Sequence, residues 1–173
     1  IDNNEKAVQY LNKAIDLYPY NFKINSLYGD IYNDLGELEK SIKYYKKAIE
    51  NNPNNSDDYS RIATPYLKLG MYKEAEKNYL KAIELDPDNK NYYLGLGNLY
   101  RIELDDRDKA IEQYKKIIEL DSLDVGGYNN SAIMYFDEPQ NLDLAEKYLL
   151  EGTKIDPNYH LFNYNLGRLY NYR

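Results

Sequence analysis

Residues 89–114, NKNYYLGLGNLYRIELDDRDKAIEQY, show most clearly the pattern from which the fold is predicted. Large and small residues stand at fixed spacings in this stretch: Tyr93, Leu96, Gly97, Tyr100, Ala110 and Tyr114. Apolar side chains recur every three or four residues on both sides of a short acidic segment, which is the spacing of an amphipathic helix. The stretch therefore predicts two helices joined by a tight turn.

The same pattern recurs along the chain every 34 or 35 residues. Tyrosines form one column, at Tyr32, Tyr66, Tyr100, Tyr135 and Tyr170. Small residues form two more, at Ala7, Ser41, Ala75, Ala110 and Ala145, and at Gly29, Ala63, Gly97, Ala132 and Gly167. Prolines form a fourth, at Pro19, Pro53, Pro87 and Pro157. A period of this length with two amphipathic stretches predicts one helical hairpin per repeat, each hairpin covering its neighbour.

The columns also predict how the helices pack. The Gly or Ala column should let the two helices of a hairpin approach closely. First helices are expected near residues 20–35, 55–69, 89–104, 124–137 and 158–172, and second helices near 3–18, 37–52, 72–86, 107–121 and 141–156. The third and fourth repeats each carry one extra residue, which we place in turns that should bulge, around 105–108 and 138–140. Pro65 lies inside a first helix and should bend it.

These residues resemble the tetratricopeptide repeat family, whose pattern is a large residue, Leu-Gly, Tyr, Ala, an aromatic and Pro. The resemblance covers essentially the whole chain and implies an all-α, right-handed superhelical solenoid of antiparallel helix hairpins. We expect a single array over residues 1–173, with about four full repeats and a half repeat at each end. Its divisions are a half repeat at 1–21, repeats at 22–55, 56–89, 90–124 and 125–159, and a half repeat at 160–173. We expect this array to be a fragment of a longer one.

Composition excludes several functions. The net charge of -7 and the absence of a lysine and arginine stripe disfavour nucleic acid as a partner. No apolar run is long enough for membrane insertion. The chain has no cysteine and one histidine, His160, so cysteine-based and imidazole metal clusters are excluded and no cofactor is predicted. The compartment is left open.

No catalytic residues are predicted either. Paired acids such as Asp105 with Asp106 and Asp57 with Asp58 fall in turns or at helix starts, where solvated acids are common. Gly126-Gly127 lacks the following Lys-Ser/Thr of a phosphate loop. We therefore interpret the chain as a non-enzyme.

The resemblance implies that first helices line a concave groove in which a protein or peptide partner binds. Carrying the family's groove positions onto this sequence selects Asn33, Lys68, Asn91, Leu94, Asn98, Arg101, Asn129, Ile133, Phe136 and Arg168. An apolar patch at Leu94, Ile102, Ile133 and Phe136, beside Arg101, is the predicted hot spot. The full set of groove positions carries as many positive as negative charges, so we expect a neutral groove, with the acid excess on the convex side and in the turns. The Lys and Asn clamp by which some members grip a C-terminal carboxylate is not found.

Two other functions remain open at this stage. The array could be a substrate-selecting or regulatory region of a larger enzyme, such as a glycosyltransferase or phosphatase. It could also self-associate through its uncapped terminal helices, where the next repeat or a second copy would cover the apolar residues Leu166, Leu169 and Tyr170. The leading hypothesis is a protein-protein interaction scaffold.

Overall fold

The computed structural model describes residues 3–18, 20–136 and 141–173, and helices dominate this part of the chain. The first helices of the hairpins are α2 (Phe22–Asp34), α4 (Ser56–Lys68), α6 (Lys90–Asn98), α8 (Val125–Tyr135) and α10 (His160–Tyr172). The second helices are α1 (Asn3–Leu17), α3 (Leu38–Asn51), α5 (Tyr72–Leu85), α7 (Arg107–Leu120) and α9 (Leu142–Ile155). Helix order and type therefore confirm the predicted hairpins, with ends within a few residues of those expected. The chain divides into two compact units, residues 1–92 and 93–173.

The turn inside each of the first two complete hairpins is closed in the same way. Gly36 and Gly70 have φ of 75° and 70°, a left-handed conformation that glycine adopts without steric cost. The residue after each glycine donates its backbone N–H to a tyrosine carbonyl: Glu37 to Tyr32 over 2.8 Å and Met71 to Tyr66 over 2.9 Å. Bonds of this kind end a helix by satisfying its last carbonyls. The tyrosine column thus also marks where each first helix stops.

The extra residue of the third repeat lies inside the helix, so its predicted position in the turn was wrong. Residues Leu99–Glu103 form a π-helical turn that continues α6. Beyond it, Asp105 takes the place of Gly70 with φ of 49°. Asp106 donates its N–H to Tyr100 over 2.9 Å, one residue further along than in the earlier hairpins. Widening the helix by one residue therefore preserves the turn geometry. The corresponding prediction at 138–140 falls outside the described residues, as does Pro19.

Small residues let large ones approach in the unit formed by residues 1–92. A Cβ placed on Gly29 would lie 2.7 Å from the ring of Tyr45, which is buried. Ser41 is fully buried, and its hydroxyl donates to the Gly29 carbonyl over 2.8 Å. Asn25, where the repeat pattern has a large aromatic, is also buried and donates its side-chain amide to the Asn21 carbonyl over 3.1 Å. Helix α4 runs through the buried Pro65 to Lys68; its predicted bend remains a prediction.

The unit formed by residues 93–173 repeats this packing. A Cβ on Gly97 would lie 2.7 Å from the ring of Tyr114. A Cβ on Gly152 would lie 2.1 Å from the ring of Phe162. The buried core of this unit comprises Ala132, Tyr135, Phe136, Ala145, Leu149, Phe162 and Leu169. Close helix approach in both units therefore depends on pairing a glycine with an aromatic ring.

Candidate peptide-binding surface

Second helices hold the polar side chains of first helices in place. In the first unit, the Tyr45 hydroxyl donates to Asp30 Oδ1 over 2.5 Å, and Tyr79 forms a side-chain hydrogen bond with Thr64. In the second unit, the Tyr114 hydroxyl donates to Asn98 Oδ1 over 2.9 Å. Each tyrosine ring is buried while its hydroxyl reaches the first helix, and burial raises the pKa of Tyr79 and Tyr114. Tyr45 and Tyr114 therefore donate hydrogen bonds to first-helix oxygens, and Tyr79 and Tyr114 stay uncharged at neutral pH.

Two predicted site residues meet in the first unit. Lys68 Nζ, on α4, donates to the Asn33 side-chain oxygen over 2.9 Å and to its carbonyl over 3.3 Å. Asn33 is half-buried and Lys68 is exposed. Asn91, at the start of α6, is exposed, and its backbone N–H donates to Asn89 Oδ1 over 3.2 Å. On the surface of this unit, the side-chain amide of Asn33 and the ammonium group of Lys68 therefore contact each other.

A cleft of about 470 Å³ lies between α2 and α4 in the same unit. The carboxylate of Asp58 lies against it, fully buried, and accepts hydrogen bonds from Ser26 Oγ over 2.6 Å and Asn55 Nδ2 over 2.7 Å. Burial raises the pKa of Asp58, although both hydrogen bonds act in the opposite direction. Arg61 Nη1 bonds to Asp30 Oδ2 over 3.1 Å at the cleft margin. These contacts join α2 to α4 and fix the spacing of the two first helices.

Arg101 and Asn98 share one hydrogen-bond network in the second unit. Arg101 Nε donates to the Tyr114 hydroxyl over 3.2 Å, and that hydroxyl donates to Asn98. Both predicted site residues are half-buried and have defined orientations. The Nε bond uses one of the five guanidinium N–H donors of Arg101. Leu94 and Ile133 are half-buried on the same set of first helices, and Ile102 is 59% exposed.

Asn129 and Phe136, both predicted site residues, are buried, whereas a residue that contacts a ligand directly should be exposed. Asn129 is only 5% exposed, and its Oδ1 accepts a hydrogen bond from Asn165 Nδ2 over 2.9 Å. Phe136 is 8% exposed and belongs to the core. The exposed guanidinium of Arg168 lies above the Phe136 ring, 5.1 Å from its centroid. Asn129 and Phe136 therefore support the surface from below, and Arg168 covers the aromatic ring.

Acidic residues are concentrated in the turns. Within the helix bounds, the second helices carry fifteen basic and thirteen acidic residues. The first helices, counted together with the π-turn Leu99–Glu103, carry six basic and five acidic residues. The part of the predicted acid excess that was placed in the turns agrees with these bounds, and the part placed on the convex side stays a prediction. The described turns and helix caps contain Glu37, Asp86, Asp88, Asp105, Asp106, Asp121, Asp124 and Asp156.

Sequence reasoning missed the role of the tyrosine hydroxyls, although a signal was present. Polar Asp30, Thr64 and Asn98 occupy the first-helix column opposite Tyr45, Tyr79 and Tyr114. In the fourth repeat the polar residue becomes Ile133 and the tyrosine becomes Leu149. The polar residue and the tyrosine are both replaced in this repeat, because a buried hydroxyl needs a polar partner. Asn165 was missed as well, since its partner comes from the preceding repeat.

Within the described ranges, no grouping of three or more His, Asp or Glu side chains is suited to hold a metal ion. None of the described helices is both long and apolar enough to cross a bilayer. The described first helices of the first unit present an amide and an ammonium group in contact. Those of the second unit present oriented amide and guanidinium groups together with half-buried apolar side chains.

Stacked helical hairpins of this period define a helical-repeat solenoid. One model of the tetratricopeptide repeat matches residues 1–21, 22–55 and 91–122, and a second model of this repeat matches residues 44–77. A model described as TPR repeat matches residues 63–101. The chain belongs to the tetratricopeptide repeat family.

Solved structures share this fold. YrrB, described as a TPR protein with an unusual peptide-binding site, has a TM-score of 0.73 at 24% identity, over 94% of this chain and 82% of that one. A MamA structure has a TM-score of 0.76 at 21% identity, over 91% and 96%. MamA from Desulfovibrio magneticus RS-1 has a TM-score of 0.77 at 18% identity, over 90% and 87%. A search of curated proteins found no match. At these identities the structures are evidence for the fold alone.

Proposed function

We propose that the chain is a non-catalytic scaffold that binds extended peptide segments of partner proteins on its first helices. Each unit has its own binding surface, formed by exposed and half-buried site residues and here called the first-helix surface of that unit. It comprises Asn33, Lys68 and Asn91 in residues 1–92, and Leu94, Asn98, Arg101, Ile133 and Arg168 in residues 93–173. The observation that carries the proposal is that second-helix tyrosines hold polar first-helix side chains, as Tyr114 holds Asn98.

Fixed polar groups favour binding because less side-chain entropy is lost when a ligand docks. The amides of Asn33, Asn91 and Asn98 can each donate and accept, which matches the alternating N–H and C=O groups of an extended backbone. In the second unit, which contains Asn98, the half-buried Leu94 and Ile133 supply apolar contact. Peptide binding by YrrB, which has the same fold, supports the proposal by analogy.

The test is selection from a display library of short random peptides on the immobilised chain. One variant carries Asn33→Ala, Asn91→Ala and Asn98→Ala on first helices. A matched variant removes three amides from second helices, with Asn51→Ala, Asn78→Ala and Gln113→Ala. Melting curves of both variants verify that they fold.

We expect the wild type and the second-helix variant to select the same peptides. The first-helix variant should bind those peptides about tenfold to a hundredfold more weakly, since each lost hydrogen bond contributes about 1 kcal/mol. Equal affinity of all three proteins for the selected peptides would refute binding on the first-helix surface.

A further inference from the structure

Charged residues are distributed unevenly over the first helices of the two units. In the first unit, α2 and α4 carry Asp30, Asp34, Asp57 and Asp58 together with Lys23, Arg61 and Lys68. In the second unit, α8 and α10 contain no acidic residue and one basic residue, Arg168. The π-turn after α6 adds Arg101 and Glu103. Among the described first helices, acidic residues are therefore concentrated in the first unit, and the neutral groove stays a prediction.

Two arginines of this second unit are held by neighbouring side chains. Arg101 is anchored through Nε to the hydroxyl of the buried Tyr114. Arg168 lies over Phe136 and Tyr164, 5.1 and 5.9 Å from the ring centroids. Its Nη1 also donates to Asn165 Oδ1 over 3.4 Å. Anchoring by one nitrogen or by a ring face leaves other N–H donors of each guanidinium able to bind a carboxylate.

The repeat pattern places these arginines on neighbouring first helices. Arg101 follows Tyr100 on the π-turn that continues α6, and Phe136 follows Tyr135 at the end of α8. Packed helices lie about 8–10 Å apart. Because Arg168 covers Phe136, we expect its guanidinium about one helix spacing from Arg101. Exposed apolar side chains flank the pair, with Ile102 59% and Tyr164 63% exposed.

We infer that the first-helix surface of residues 93–173 binds acidic peptide segments, with carboxylate side chains on Arg101 and Arg168 and apolar side chains against Ile102 and Tyr164. Planar guanidinium groups pair with carboxylates through two parallel hydrogen bonds, which favours Asp and Glu over neutral residues. The inference rests on the proposed function and adds the chemical class of the ligand.

The experiment uses the same random-peptide display on the full chain and compares the acidic content of the selected peptides. The test variant carries Arg101→Gln and Arg168→Gln. The control carries Lys73→Gln and Lys77→Gln, two exposed lysines of α5, and loses the same net charge. A third variant, with Arg101→Lys and Arg168→Lys, keeps the charge and loses the planar fork.

We expect the wild type and the lysine control to select peptides enriched in Asp and Glu. The glutamine variant should lose this enrichment and bind the selected acidic peptides about tenfold more weakly or worse. The arginine-to-lysine variant should lie between the two. Binding of the acidic peptides by the wild type should also weaken as salt is raised.

Two outcomes would overturn the inference. If the wild type selects peptides without acidic enrichment, and these still depend on the first-helix amides, the proposed function stands and the acidic ligand class is wrong. If the glutamine variant keeps the enrichment, the acids are recognised elsewhere. Loss of first-helix dependence altogether would instead refute the proposed function.

Discussion

The ring of Tyr114 covers Gly97 so closely that a Cβ on the glycine would lie 2.7 Å from the ring. The ring is fully buried and cannot move aside freely, because its hydroxyl is tied to Asn98 and Arg101. We expect Gly97→Ala to lower the free energy of unfolding by about 1–3 kcal/mol through overpacking. Urea denaturation followed by circular dichroism measures this change.

Gly167 is the control for that substitution. It stands in the same repeat column, inside α10, and a Cβ there would meet nothing within 4 Å. Gly167→Ala should therefore raise stability by up to about 1 kcal/mol, since alanine favours a helix over glycine. Equal effects of the two substitutions would show that the Gly97 contact has no energetic role.

A second prediction concerns the residue with positive φ in the hairpin turn. Asp105 and Gly70 occupy equivalent positions with φ of 49° and 70°. Because a side chain is strained in this region, Asp105→Gly should stabilise the protein by about 0.5–1 kcal/mol. Gly70→Asp should destabilise it by a similar amount. A thermal melt of both variants tests the pair, and opposite shifts in Tm are required.

Two buried serines should respond to alanine with opposite signs. Ser131 is fully buried, and within the described residues its hydroxyl has no hydrogen-bond partner. Ser131→Ala should stabilise the chain by about 1 kcal/mol, because a buried unsatisfied hydroxyl is removed. Ser41 is equally buried but donates to the Gly29 carbonyl, so Ser41→Ala should cost about 0.5–1.5 kcal/mol. Chemical denaturation curves that shift in the same direction would contradict this.

Stability should fall in alkaline solution because tyrosines are buried. Burial, together with a hydrogen bond to Asp57, raises the pKa of Tyr92 to about 12. Burial raises the pKa of Tyr28 to about 12 as well. A tyrosine with a raised native pKa binds its proton more tightly when folded. The free energy of unfolding therefore holds below pH of about 10, the ordinary tyrosine pKa, and declines as pH rises through about 12.

Tyr92→Phe and Tyr28→Phe remove these titrating groups. Each variant should lose stability less steeply than the wild type between pH of about 10 and 12. Denaturant unfolding at a series of pH values measures the slope, and absorbance near the tyrosinate band reports ionisation directly. Slopes that match the wild type would show that these two tyrosines titrate normally.

The repeat columns predicted the hairpins because spacing alone determines which residues face a neighbouring helix. The Gly and Ala column was predicted to let two helices approach, but the contact of Gly97 with the Tyr114 ring was not predicted. The spacing does not determine how deeply each side chain is buried, because burial also depends on contacts with the next hairpin. Asn129 became buried because Asn165 reaches it, and Phe136 because Arg168 covers it. The extra residue before Asp105 was misplaced because a helix can also take up one residue by widening into a π-turn.

Peptide binding on the first helices can be tested directly by crosslinking. A photoreactive amino acid at Asn91, exposed at the start of α6, should crosslink a peptide selected by the wild-type chain. The same amino acid at Lys77, exposed on α5, should give little crosslinking at equal peptide concentration. Crosslinking that is as strong at Lys77 as at Asn91, or stronger, would show that peptides do not bind on the first helices.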